Sequence, residues 1–500
     1  MNAKPEIKNS KPVHERRRAG VLLHPTSLPG SIGNGDLGAN AHRFVDFLAQ
    51  SGFSVWQMLP LGPTHREGSP YHALSLHAGN PMLINLERLV EWGWLENLDT
   101  PGTEGAVAYR LKRLAQAHRQ FSKRAAESDR QTFAEFVTAQ SHWLDDYALY
   151  RALRREFSGQ AWYQWPALLR DRDPDALAAT RTRLAGEIAQ VHFEQFVFDR
   201  QWRELRAYAA SHGVLLFGDM PIFVAHDSVD VWTHREYFML DAQGFPTKVA
   251  GVPPDYFSQD GQRWGNPLYD WQRMQADGFR WWIERLSTEL KRTDFLRVDH
   301  FRGFEACWEI LASEATAVNG RWVPAPGEAL FEKLLQHFGT LPLVAEDLGL
   351  ITPEVQRLRE KFGFPGMKIL QFAFDSGPDN PYLPHNHQID SVVYTGTHDN
   401  DTTVSWFESL PAEKQLAVVD YLGYTHEPMP WPLLRAAFES VSRLAVIPMQ
   451  DLLGLGRGHR MNTPGTTTGN WLWRFTWEQL SPDLAPRLRQ MVYRYGREIK

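Results

Sequence analysis

A single cysteine, Cys307, stands in 500 residues, which excludes an internal disulfide framework and any multi-cysteine metal site and suits a reducing compartment. Excess positive charge is missing too. Lys and Arg total 53 against 59 Asp and Glu, a formal net charge of -6, so bulk electrostatics would not draw the chain to nucleic acid. No apolar run approaches the ~20 residues that a membrane span needs. The opening MNAKPEIKNSKPVHERRRAG has neither an apolar stretch nor a small-residue cleavage site, so the expected location is the cytoplasm, without a secretory leader. Internal repeats and low-complexity tracts are absent, and no Pro/Ser linker marks a domain boundary. HExxH, EF-hand, Walker and GxSxG patterns do not occur, so no metal and no cofactor is expected. GNGDLG at 33–38 has dinucleotide-loop spacing, but the next strand ends in LPLGP with no ribose-binding acid.

What is present is a large apolar fraction, 43% hydrophobic, with 19 Trp, 28 Phe and 15 Tyr. Such a chain can bury a substantial core, and its aromatic faces can also stack on ring-shaped ligands. Eight short apolar runs recur, each ending in polar or Gly/Pro residues: GVLLHPTSLPG, SVWQMLPLGP, VLLFGDMPIF, DFLRVDHFRG, PLVAEDLG, MKILQFAFD, SVVYTGTHDN and IPMQDLLGLG. They read as buried parallel strands. Helical patterns such as AHRFVDFLAQSG and GFRWWIERLSTELKRT lie between them. Alternation of this kind predicts an α/β fold, a (β/α)8 TIM barrel with catalytic groups at the C-terminal strand ends.

A bare barrel takes about 250 residues, so much of the chain is expected to be insertion. Residues 1–19 form a polar N-terminal extension and 20–500 the barrel. The main insertions fall at about 64–213, chiefly helical, and 225–293, rich in Trp, Tyr, Gly and Pro.

Four of the expected barrel strands end in an acid: Asp219, Asp299, Glu346 and Asp399. One acid in an apolar strand is more simply a salt-bridge partner, but four at the catalytic rim point to chemistry. Retaining glycoside chemistry needs an ionised nucleophile and a protonated acid. Arg297, two residues before Asp299 and so on the same strand face, would keep Asp299 ionised as the nucleophile. Glu346 follows the apolar LPLVA, where desolvation raises a carboxyl towards the value of a general acid. Asp399 would bind sugar hydroxyls and steady an oxocarbenium-like transition state, with His398 and His300 as hydrogen-bonding neighbours.

RVDHFRG, VAEDLG and GTHDND resemble the three catalytic segments of the α-amylase superfamily. GNGDLG, GSPYHALSLHAGNP, GVPPDYFSQDGQRWGNPLYDW, GMKILQFAF and RMNTPGTTTGNWLWR are similar to segments of the amylomaltases, the bacterial 4-α-glucanotransferases. The resemblance runs from about Gly20 to Phe475. It implies Asp299 as nucleophile, Glu346 as acid/base and Asp399 as transition-state stabiliser. It also implies that Arg297, His300, His398, Asp219, Tyr71, Asp255, Trp264 and Asn462 contact sugar, and that 251–265 forms a lid over the acceptor site. Maltooligosaccharides or other α-1,4-glucans would be donors, and glucose or a glucan the acceptor. A hydrolase on the same scaffold and a catalytically silent glucan binder are the competing readings. One departure stands out: His72 follows the SPY triplet where many members of the family carry Gln. Tyr71, Tyr256, Phe257 and Trp264 sit among Gly and Pro and are expected to stack on glucose, whereas Trp281 and Trp282 are expected in the core.

Overall fold

A computed structural model describes residues 16–30, 32–99, 105–254 and 258–498. All eight expected strands are present: β1 (Arg18–Leu22), β2 (Val55–Gln57), β3 (Leu215–Pro221), β4 (Phe295–Asp299), β5 (Leu343–Ala345), β6 (Gly366–Ile369), β7 (Ser391–Tyr394) and β8 (Leu444–Pro448). They pair in parallel in the order β6-β7-β8-β1-β2-β3-β4-β5. Ala345 N–H donates to the Pro365 carbonyl at 2.8 Å, closing the seam between β5 and β6 into a barrel. Val, Leu, Ile and Phe dominate these strands because both faces are covered, inward by the other strands and outward by helices. Gly218 in β3 has no room for a side chain; an added Cβ would lie 2.8 Å from Leu296 Cδ2 and Thr293 Cγ2.

Helices Ala39–Gln50, Arg280–Arg292, Gly327–Phe338, Pro353–Lys361 and Leu484–Arg494 lie against the barrel or continue its alternation. Between β2 and β3 run the long helices Ala106–Arg124, Glu127–Glu156 and Ala185–Ser211. The last carries Phe193, Phe196, Val197, Trp202 and Leu205 on its buried side. The expected alternation fails once: β6 and β7 are joined by 3-10 turns, Leu370–Phe372 and Pro384–Asn386, with no α-helix. Pro378, Pro381 and Pro384 in that stretch remove the donors that a helix interior needs.

A second sheet has no counterpart among the eight expected strands. Gln262–Pro267, Lys248–Val252, Ala306–Leu311 and Gly320–Pro324 pair antiparallel in that order. Two of its strands precede β4 in the chain and two follow it. Cys307 is buried there as a free thiol. Trp281 and Trp282 are buried as expected. No helix among the described residues is long and apolar enough to cross a membrane.

Candidate active site

The C-terminal ends of β3, β4, β5 and β7 bring Asp219, Asp299, Glu346 and Asp399 to one rim. Arg297, pointing inward from β4, ties two of them together. Its Nη1 donates to both Asp219 oxygens, each at 2.8 Å, and its Nη2 lies 2.8 Å from Asp299 Oδ1. Burial alone would lower the Arg297 guanidinium, yet the carboxylates of Asp219 and Asp299 hold it well above its ordinary range. Asp219 is pushed up by burial, with Arg297 opposing. Tyr71 completes the cluster, its hydroxyl donating to Asp219 Oδ2 at 2.8 Å and its ring stacked on His398 at 5.0 Å.

Exposure separates these acids by what they can reach. The Asp219 side chain is 0% exposed, Asp299 30% and Asp399 46%. Asp219 therefore supports the cleft from beneath, whereas Asp299 and Asp399 present oxygens to whatever enters it.

Glu346 lies just beyond β5. Its Oε2 accepts from His300 N–H at 2.8 Å and its Oε1 from Leu348 N–H at 2.9 Å. Burial pushes its pKa up to about 7, Arg297 pulls it down and the negative charge of Asp299 raises it further. His300 adopts a left-handed backbone, φ 51°, uncommon for a residue with a side chain and a recurrent form of stored strain at functional sites. That turn of the chain accompanies the amide's bond to Glu346. Burial lowers the His300 imidazole to about 4, so it is neutral at working pH. Its Nε2 is buried without a hydrogen-bond partner among the described residues.

Asp399 is positioned by the C-terminal part of the chain. Asn462 Nδ2 donates to its Oδ1 at 2.7 Å, Arg460 Nη2 donates to its backbone carbonyl at 2.7 Å, and His398 Nε2 stands 3.4 Å from Oδ1. Trp264 is 38% exposed and sits edge-on to His300 at 4.8 Å and 87°. It lies on the strand Gln262–Pro267 and not in a loop as expected, because the Gly/Pro-rich stretch pairs with Lys248–Val252. Asp255, Tyr256 and Phe257 lie outside the described residues. The sequence reading passed over Arg460 and Trp471; Trp471 is 6.0 Å from both Tyr71 and His398. Its signal was present in the segment RMNTPGTTTGNWLWR.

His72 stacks on His65 at 4.3 Å, and its Nδ1 lies 2.5 Å from Glu67 Oε1. Burial first, then the neighbouring His72, lowers His65 to about 4.

Comparison with known proteins agrees with the geometry. A family model described as 4-alpha-glucanotransferase matches residues 23–480. The 4-alpha-glucanotransferase of Thermus thermophilus is 51% identical, covering 95% of this chain and 98% of that protein. That of Synechocystis sp. is 50% identical, covering 97% and 99%. An amylomaltase structure from Streptococcus agalactiae, solved with acarbose, superposes with a TM-score of 0.93 at 38% identity over 97% of this chain and 100% of that one. The amylomaltase of Corynebacterium glutamicum, 20% identical, shares the fold at a TM-score of 0.75 over 97% of this chain and 76% of that one. With a match that spans nearly the whole chain and a barrel rim that gathers these acids, the chain belongs to the 4-alpha-glucanotransferase family.

Proposed function

We propose that the cleft transfers a segment of an α-1,4-glucan to the 4-hydroxyl of glucose or another glucan by two successive displacements. Asp299 attacks the anomeric carbon of the donor while Glu346 gives its proton to the departing 4-oxygen, leaving a glycosyl ester on Asp299. Glu346, now a carboxylate, takes the proton of the acceptor hydroxyl as that oxygen displaces Asp299. Each displacement inverts the anomeric carbon, so the product keeps the α-configuration. The observation that carries this reading is the pairing of Asp299 with Arg297 beside a Glu346 raised to about 7: one carboxyl is held by a cation, the other still keeps a substantial protonated fraction near neutral pH.

The charge of Asp299 also explains how Glu346 serves as acid and then base. Asp299 raises Glu346 while ionised. Once esterified, Asp299 is neutral, that contribution vanishes and Glu346 becomes easier to deprotonate when a base is needed. Asp399, with Asn462 and His398, binds donor hydroxyls, and Arg297, Tyr71 and His300 line the same subsite. Asp219 acts through Arg297 and Tyr71. Asp255 and Trp264 are assigned to the acceptor side, where 251–265 serves as a lid that admits a sugar hydroxyl while limiting water. The insertions at 64–213 and 225–293 build the flanks of the cleft. No nucleic acid or membrane partner is assigned, and the cytoplasm is the proposed location, consistent with one buried free thiol.

Incubation with maltotriose alone tests transfer against hydrolysis. The expected result is glucose together with a ladder of longer maltooligosaccharides. Release of only glucose and maltose would identify a hydrolase, and binding without any product a silent glucan binder.

A further inference from the structure

Residues 395–402, after β7, carry His398 and Asp399 into the cleft, and both ends of this connection are fastened to one buried carboxylate. Asp451, on the short helix Met449–Leu452 that follows β8, is 1% exposed. At the start of the connection Thr395 Oγ1 donates to Asp451 Oδ2 at 2.6 Å. At its end Thr403 N–H donates to Oδ1 at 2.7 Å and Thr403 Oγ1 to Oδ2 at 2.7 Å.

All three donors are neutral, and no cation pairs with this carboxylate among the described residues. Burial pushes its pKa up, and the threonine bonds work against that push. The O–H···O separations match those of hydroxyls bonded to an ionised acceptor. Burying a carboxylate in this way costs stability that an apolar side chain would not, so its retention calls for a role other than packing. From the opposite flank, Gln371, on the 3-10 turn Leu370–Phe372 after β6, donates its N–H to the Thr395 carbonyl at 3.2 Å and its Nε2 to the Asp401 carbonyl at 2.8 Å. The connection is thus braced from the strands on both sides, with the carboxylate holding the β8 side.

We propose that Asp451 is a positioning residue for His398 and Asp399: by accepting from both ends of the 395–402 connection it fixes where the Asp399 carboxylate stands in the cleft. A carboxylate suits this role because it accepts three bonds while donating none. Asparagine keeps one acceptor oxygen for Thr403 N–H but forces the two hydroxyls to reverse. Alanine leaves the amide and both hydroxyls without an acceptor.

The inference rests on Asp399 contacting sugar, and the test separates the two. In the full-length chain, Asp451→Ala, Asp451→Asn and Thr395→Val are each made in the wild type and in an Asp399→Asn background, with kcat, KM for maltotriose and thermal midpoint measured. A displacement of about 1 Å at a reacting group costs up to ~100-fold in rate. Asp451→Ala is therefore expected to lower kcat by about 30- to 100-fold with KM changed less than about threefold, Asp451→Asn to recover part of the loss and Thr395→Val to cost about fivefold. In the Asp399→Asn background each loss should shrink to within about threefold, because groups acting through one another are not additive. Equal losses in both backgrounds, or losses that follow only the fraction unfolded, overturn the proposal. Wild-type turnover by Asp399→Asn alone would overturn the reading of Asp399 and the proposal with it. If Asp451→Ala does not fold, Asp451→Asn and Thr395→Val decide by the same criterion.

Discussion

Asp299→Asn should yield a folded protein that still binds maltooligosaccharides but turns over on the order of 10⁴- to 10⁶-fold more slowly, the scale seen when a covalent nucleophile is removed. Retained binding is expected because an amide preserves the shape of the side chain, and its oxygen can still accept from Arg297 Nη2, now 2.8 Å from Asp299 Oδ1. Arg297 also keeps its two bonds to Asp219, so the floor of the cleft stays in place. Isothermal calorimetry with a maltooligosaccharide separates binding from turnover. A fluorinated glycosyl fluoride that forms the ester but breaks it slowly should label the wild type on the peptide containing Asp299, and mass spectrometry locates it. Label on another carboxylate, or wild-type turnover in the variant, would falsify the assignment. The variant has a second expected effect. Because the charge of Asp299 raises Glu346, its removal should lower the Glu346 pKa, which a carboxyl-labelled NMR titration reads directly.

Glu346→Gln is the second large effect. Without a proton to give, transfer from natural glucans should fall by about 10²- to 10⁴-fold, the usual contribution of a general acid. A glycosyl fluoride donor, whose leaving group needs no proton, should recover formation of the ester while the second displacement stays slow. In the wild type the first step requires protonated Glu346. Its pKa of about 7 then places a falling limb above neutrality, with rate dropping about tenfold per pH unit once that value is passed. The direction follows from the cause: burial disfavours the charged form, so the group remains a usable acid about two units above where a free carboxyl has lost its proton. With the fluoride donor the basic limb of the first step should disappear. Persistence of that limb would assign it to another group.

Both effects were legible in the strand-end acids, because a buried parallel strand is a continuous apolar run and an acid at its tip breaks the pattern. The Arg297 and Asp299 spacing followed from the alternation of a strand, and the pairing is observed at 2.8 Å. Other features were not legible, for physical reasons. The antiparallel strands KVAGV, QRWGNP, ACWEIL and GRWVP are short, all but ACWEIL contain Gly or Pro, and the two outer ones, QRWGNP and GRWVP, are mostly unburied. Their pairing, such as Gly251 with Trp308, joins residues far apart in the chain, and no local signal encodes it. Asp451 falls in IPMQDLLGLG, a run whose apolar and glycine residues read as a strand and its end. Only the fold shows that Thr395 and Thr403 converge on it. His72 was marked as a departure, but its engagement with His65 and Glu67 depends on the small hairpin closed by the Thr64–Ala73 bridge.

The antiparallel sheet also bears on how this enzyme can be altered. Its central strands come from either side of β4, and Ala306 begins only a few residues beyond Asp299. The sheet is therefore tied to the strand that carries Asp299 through one short 3-10 turn, Phe301–Phe304. Gln262–Pro267, by contrast, is an outer strand of the sheet, paired on one side only. On the proposed reading of 251–265 as a lid, exchange of this segment between chains of the same architecture is expected to retune acceptor choice and the balance of sugar against water while the chemical centre is inherited intact.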